Sequence, residues 1–161
     1  MTFRRELNEA EQVNIAAAMK WLRRRKRDVL DEAFLRQLHK RLFGKTWRWA
    51  GHYRASARNI GLDLAQAIDD TKFWIANSIF PADEIAIRFS HRLVFIHPFP
   101  NGNGRFSRLV GDLLAMQLGR PPFSWGSQNL VDATTTRRAY VDALRAADAH
   151  DLSPLIVFAR S

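Results

Sequence analysis

The sequence predicts an all-α protein, a compact helical bundle that carries one short β-hairpin. Three observations lead there. Apolar residues recur at helical spacing in one stretch after another: Phe34, Leu35, Leu38 and Leu42, then Ile85, Phe89, Leu93 and Ile96, then Leu109, Leu113, Leu114 and Leu118. Residues that stop helices fall between those stretches, at Gly44, Pro98, Gly119 and Pro121-Pro122. Only the stretch from Trp47 to Leu62 breaks the period, and there Trp47, Trp49, Tyr53 and Ile60 favour extended backbone. At 161 residues, with no internal repeat, low-complexity tract or linker, residues 1–161 read as a single domain.

Taken in order, Asn8 with Glu11 three residues on has the form of a capping box. It would open a first helix that runs to about Arg25, with Ile15, Met19 and Leu22 as its apolar stripe. Asp31 is placed to cap a second helix and Gly44 to end it. Residues 51–61 read as a short hairpin or an ordered loop, punctuated by Gly51 and Gly61. A helix over 63–78 follows. Pro81 suits the first turn of the next, and Asp83 and Glu84 suit its positive end. A residue before proline is biased away from the α region, so that helix stops at His97. Another helix opens after Gly104 and is closed by Gly119. Two more span about 135–147 and 152–159.

Composition narrows the function classes. Net charge is +9, from 25 basic and 16 acidic residues, which favours polyanionic partners. The densest run, Arg23-Arg24-Arg25-Lys26-Arg27, falls at a helix end, where cations complement the dipole. Nucleotide phosphates or an acidic protein would use the charge, and nucleic acid is not the expected partner. The absence of cysteine excludes disulfides, thiolate catalysis and Cys-ligated zinc, and fits a reducing compartment. No apolar run reaches the roughly 18 residues of a membrane span, and Met1-Thr2-Phe3-Arg4-Arg5 lacks a signal core, so a cytoplasmic protein is expected. His39, His52, His91 and His150 stand at no usable ligand spacing and read as packed or exposed. Gly44-Lys45-Thr46 lacks the rest of a P-loop, since His39 stands where Walker A needs glycine.

The chemistry concentrates in Ile96-His97-Pro98-Phe99-Pro100-Asn101-Gly102-Asn103-Gly104-Arg105-Phe106-Ser107-Arg108. His97 is a base that can be neutral at pH 7. Gly102-Asn103-Gly104 lets the backbone fold close and turn amides toward an anion. The helix that opens there adds a positive dipole end, and Arg105 and Arg108, three apart, can fork onto phosphate oxygens from its first turn. Such a set suits a phosphorylated nucleotide.

This stretch resembles the signature of Fic-domain proteins, H-x-F-x-[D/E]-G-N-G-R-x-x-R, and departs from it only at Asn101. Leu7-Asn8-Glu9, Trp47-Arg48-Trp49-Ala50-Gly51 and Trp125-Gly126 are similar to the subgroup called mobile mystery protein B, so the resemblance spans nearly the whole chain. It implies a small helical enzyme that transfers AMP from ATP to a Ser, Thr or Tyr hydroxyl of a target protein. By the same resemblance His97 is the base, and amides around Gly102, Asn103 and Gly104 stabilise the α-phosphate with Asn103 assisting. Arg105 and Arg108 hold the leaving phosphates, Phe99 anchors the loop, and a hairpin flap with Ala57, Arg58, Asn59 and Ile60 holds the target. Most Fic signatures place Asp or Glu at position 101 as the Mg²⁺ ligand. Asn101 offers only a neutral oxygen, a weak ligand for a hard cation.

Other readings remain open on sequence alone. The fold could serve phosphorylation, transfer of another nucleotide, or phosphocholine transfer, and Asn101 could mark a nucleotide-binding module without turnover. Fic proteins are commonly restrained by a helix bearing [S/T]-x-x-x-E-[G/N], and no glutamate here supplies that motif. The subgroup resemblance implies a helix-turn-helix companion, mobile mystery protein A, as an antitoxin-like partner.

Overall fold

A computed structural model describes residues 2–24 and 26–161, with side chains described for 12–24 and 26–161. Seven helices make up the described residues: α1 (Thr2–Arg23), α2 (Glu32–Phe43), α3 (Ile60–Ala76), α4 (Ala82–Ile96), α5 (Asn103–Gln117), α6 (Ala133–Asp148) and α7 (Ser153–Arg160). The helix count and most boundaries follow the apolar spacing.

Helix α4 is the axis of the molecule. Ile85, Ala86, Ile87, Phe89, Ser90, Leu93 and Ile96 are buried along it, on more than one side, because α3, α5 and α7 all pack against it. Its closest neighbour is α5. Small residues set that crossing: Ser90 Oγ donates to the Ser107 carbonyl at 2.8 Å, and a Cβ on Gly111 would stand 3.2 Å from the Ser90 Cβ. Helices α1 and α2 pair on one flank and α6 and α7 on the other. Burial of the aromatic and aliphatic side chains between these layers is the main stabilising term, at about 1.5–3 kcal/mol per fully buried large side chain.

Caps explain where helices begin. Asp31 accepts from the Ala33 amide, as its position predicts, and Asp132 accepts from the Thr135 amide at 2.7 Å. Two expectations are corrected. Helix α1 starts at Thr2, so Asn8 lies inside it rather than at its cap. The side chains of Asn8 and Glu11, and the whole of Arg25, lie outside the described residues. The predicted β-hairpin is absent: no strand occurs among the described residues, and 51–59 is turn, bend and irregular chain. Asn59 is the reason on one side, because its side chain accepts from the Leu62 amide and starts α3 at Ile60. The aromatics supply the other. Trp47 and Trp49 stack on each other at 5.5 Å, and Tyr53 donates to Glu32 at 2.5 Å, so α2 rather than a partner strand takes up these rings.

Candidate active site

Two left-handed residues bracket the turn from α4 to α5. His97 terminates α4 at φ 52, ψ 60, with its amide still bonded to the Leu93 carbonyl. Gly102 opens α5 at φ 77, and a Cβ there would stand 2.7 Å from the Phe43 ring, so only glycine suits the position. Between them Phe99 is wholly buried. It stacks on the His39 imidazole at 3.7 Å and meets Phe106 edge-on at 5.2 Å. The loop is thus anchored in the core by Phe99, as expected.

Asn103 fastens the same turn. Its Oδ1 accepts from the Phe99 amide at 3.0 Å and its Nδ2 donates to the Phe99 carbonyl at 2.7 Å, and the side chain is buried. Its side chain is therefore committed to the turn, and only its backbone amide can serve an anion. Among the described residues the amides of Asn103 and Gly104 find no acceptor, as the first turn of a helix leaves them. The Gly102 amide is taken by Asn101 Oδ1 at 2.8 Å.

That bond bears on the metal. The Asn101 side-chain oxygen is engaged with the backbone, and no group of three His, Asp or Glu side chains among the described residues could hold an ion. At position 101 the cavity thus offers Mg²⁺ one neutral side-chain oxygen, already hydrogen-bonded, and its lining holds no carboxylate.

His39 links this turn to the chain before α3. With the Gly51 amide donating to Nδ1 at 3.0 Å, the proton lies on Nε2, which donates to the Asn101 carbonyl at 3.1 Å. Burial pushes the imidazole down to about 4, against the opposing pull of the Asn101 carbonyl. Of the two states its isolated position leaves open, packed or exposed, His39 is packed, and it supports the turn from beneath.

His97 itself is exposed, and burial of its surroundings followed by the nearby Arg54 charge holds its pKa below the ordinary imidazole value. A neutral imidazole at pH 7 results. It shares a cavity of about 930 Å³ with the glycine turn, Arg105, Arg108, Trp125, Arg137 and Tyr140. The Arg108 guanidinium lies 4.9 Å from the centre of the Tyr140 ring and, among the described residues, pairs with no glutamate. His97, the N-terminus of α5, Arg105 and Arg108 are therefore brought together around one cavity.

No local sequence pattern marks Arg137 or Tyr140 as cavity residues. Their α6 positions and the 123–127 segment come to the site through the tertiary fold, and Trp125 is marked only by resemblance. Asp112, one turn beyond Arg108, sets this wall: a single carboxylate oxygen accepts from the Trp125 indole at 2.9 Å and from the Phe123 amide at 3.0 Å. Burial pushes the Asp112 carboxyl up to about 6 despite those bonds. The native state then holds its proton longer than the unfolded chain, so this group's contribution to stability falls as pH rises from about 4 to 6. Asp112→Asn keeps the accepting oxygen and removes the buried charge. It is expected to raise Tm at pH 8 by a few degrees, roughly 2–4 °C per kcal/mol gained, with a smaller gain at pH 5. Thermal melts of both forms at the two pH values check this.

The residues assigned to target binding lie apart from the cavity. Ala57, Arg58 and Asn59 are exposed on the turn before α3, Asn59 is spent on its cap, and Arg58 pairs with Asp63 at 3.3 Å. Ile60 is buried in the first turn of α3, so its side chain is closed to a partner and only its backbone is at the edge.

Known proteins are similar to this chain in sequence and in fold. A protein adenylyltransferase Fic of Aedes aegypti is 28% identical over 162 residues, 92% of this chain and 31% of the relative. One from Drosophila grimshawi is 34% identical over 100 residues, 60% of this chain and 19% of its own length. The chain thus spans a third or less of these curated relatives. Among solved structures, Fic-1 of C. elegans superposes with a TM-score of 0.72 at 24% identity, covering 93% of this chain and 46% of that one. The N-terminal FIC domain of Bep8 from Bartonella sp. 1-1C gives 0.74 at 16% identity, covering 98% and 86%. These likenesses confirm the helical fold. The model of the Fic/DOC family matches residues 29–115, more than half of the sequence and the whole turn from His97 to Arg108, and the chain belongs to that family.

Proposed function

We propose that this chain is a protein adenylyltransferase, moving AMP from ATP to a Ser, Thr or Tyr hydroxyl of a target protein. The observation that carries the reading is the joint placement of a neutral His97, open amides at the mouth of α5, and Arg105 and Arg108 around one cavity. The target hydroxyl oxygen attacks the α-phosphorus, the bond from that phosphorus to the bridging oxygen breaks, and pyrophosphate leaves. His97 takes the hydroxyl proton. The Asn103 and Gly104 amides stabilise charge on the α-phosphate, and Arg105 and Arg108 neutralise the departing phosphates. Mg²⁺ would enter with the triphosphate, where Asn101 can add only a neutral oxygen and the ion would neutralise phosphate charge. Trp125 gives the cavity a half-buried aromatic ring against which a nucleoside base can lie, backed by the buried Tyr140 that holds Arg108.

Residues 1–161 act as one Fic domain in this reading, with mobile mystery protein B as the subgroup and the reducing, ATP-rich cytoplasm as its setting. Ala57, Arg58, Asn59 and the Ile60 backbone remain the residues proposed to meet the target. A separate companion, mobile mystery protein A, would supply restraint. The motif of an internal inhibitory glutamate is absent from the sequence. Among the described residues, which leave out the side chains of Glu6, Glu9 and Glu11, no glutamate pairs with Arg108.

Intact-mass spectrometry of a target mixture after incubation with ATP and Mg²⁺ tests the reaction. A gain matching AMP supports it, a gain matching phosphate replaces it with a kinase, and no gain by chain or target leaves a binding module. The arginines can be tested separately. Arg105→Ala and Arg108→Ala are expected to weaken ATP far more than AMP, by about 1.5–3 kcal/mol per lost charge-assisted bond. Calorimetric titration of both nucleotides reads this, and equal losses would move these arginines away from the leaving group.

A further inference from the structure

We propose that Arg54 is the positioning residue of His97: it grips the carbonyls at the end of α4 and holds the base in its left-handed pose facing the α5 mouth. The inference rests on the reading of His97 as base. Three bonds join Arg54 to consecutive residues there. Its Nη2 donates to the Ile96 carbonyl at 3.1 Å, its Nε to the His97 carbonyl at 2.5 Å, and its backbone amide to the Pro98 carbonyl at 2.9 Å.

Chemistry gives these contacts a purpose beyond filling space. The last carbonyls of a helix have no intrahelical donors, and a cation at that end also meets the negative pole of the dipole. His97 has a Cβ and stands at φ 52, a region that residues other than glycine enter at a cost. The residue is exposed, and no hydrogen bond among the described residues holds its imidazole. The backbone on both sides of the ring is what Arg54 fixes.

Among the described residues Arg54 pairs with no carboxylate, and all its partners are carbonyls. Its charge therefore stays uncompensated beside the imidazole and disfavours the imidazolium. The other charged groups lining the cavity with His97 are Arg105 and Arg108 from α5 and Arg137 from α6, with no carboxylate among the lining residues. Arg54 stands outside that lining and is bonded directly to the carbonyl of His97.

Two variants separate the fork from the charge. Arg54→Met removes both, and Arg54→Lys keeps a cation on a point-like head that cannot span two carbonyls. The first readout is an NMR titration of His97 in the chain without nucleotide, together with the backbone amides of residues 96–99. In Arg54→Met the imidazole is expected to titrate at higher pH, nearer the ordinary value, with the amides displaced. In Arg54→Lys the titration should stay near that of the parent chain while the amides still move. The second readout is transfer: both variants should lose roughly 10- to 100-fold in kcat, the scale of a misplaced catalytic group, with KM for ATP little changed. Folded variants whose titration, amide positions and rates match the parent would overturn the proposal. If Arg54→Met does not fold, Arg54→Lys decides: displaced amides with a slower rate support the role, and unchanged values reject it. Because the titration needs no nucleotide, a chain that transfers nothing still tests Arg54, and that outcome counts against adenylyl transfer alone.

Discussion

His97→Ala is expected to lower AMP transfer by roughly 10²–10⁴-fold, the usual worth of a positioned general base, and to leave the fold and nucleotide affinity nearly intact. The residue is exposed, so truncation opens no enclosed cavity. The bonds that shape the turn belong to the backbone at this residue: its amide reaches the Leu93 carbonyl, and its carbonyl receives Arg54. Both survive truncation. Phosphate binding is assigned to the amides of Asn103 and Gly104 and to two arginines, none of which alanine touches. Single-turnover rates set beside nucleotide titrations read the two quantities apart. The pH profile carries a sign as well. The neutral imidazole is the active form, so activity is lost as pH falls through the His97 pKa, and burial with Arg54 places that loss below the ordinary imidazole value. A variant that transfers as fast as the parent would take His97 out of the mechanism.

What could be read without coordinates depended on how locally each feature is encoded. The helices carry their own period, so α2, α4 and α5 lie where the spacing of Leu38, Phe89 and Leu114 puts them. The turn from α4 to α5 is also local, because His97-Pro98 and Gly102 impose it within a few residues. The stretch from Trp47 to Leu62 misled because aromatic residues favour strands only where a partner strand exists. Here Trp49 and Tyr53 lie against His39 and Phe99, contacts that no short-range pattern announces. Asn103 shows a different limit. An amide side chain beside a glycine nest suits an anion and a backbone clamp equally well, and only the placement of Phe99 decides for the clamp. The aromatic wall was hidden for a third reason: Trp125 reaches the cavity through a hydrogen bond to Asp112, thirteen residues away on another element.

His39 is the clearest case of a residue whose worth appears only in three dimensions, and its replacement is expected to have the largest effect on stability. His39→Ala should cost about 3–5 kcal/mol, the scale of removing a large ring from a core, against total stabilities of roughly 5–15 kcal/mol. The ring is wholly buried and lies against Phe43, Phe99 and Phe106. His39→Phe keeps most of those ring contacts and deletes both hydrogen bonds. It leaves the buried Gly51 amide without an acceptor, at about 1–3 kcal/mol, while the Asn101 carbonyl lies on an exposed residue and can turn to water. Comparing the two variants therefore divides ring contacts from hydrogen bonding. Acid gives a second measure. The unfolded imidazole takes a proton near 6.5, but burial holds the native one at about 4, so stability is fully present above the first value and is lost as pH falls toward the second. Across that window the loss is on the order of 3 kcal/mol, from 1.36 kcal/mol per pKa unit. Urea denaturation at pH 7 and pH 5 should show the parent chain losing stability relative to His39→Phe, because the opposing gain from Asp112 is common to both. Equal changes in both would mean that His39 takes its proton as easily in the folded state. In that case the Gly51 amide cannot be bonded to its Nδ1, and the turn that carries Asn101 and the α5 mouth would have to be held by Phe99 and Asn103 without it.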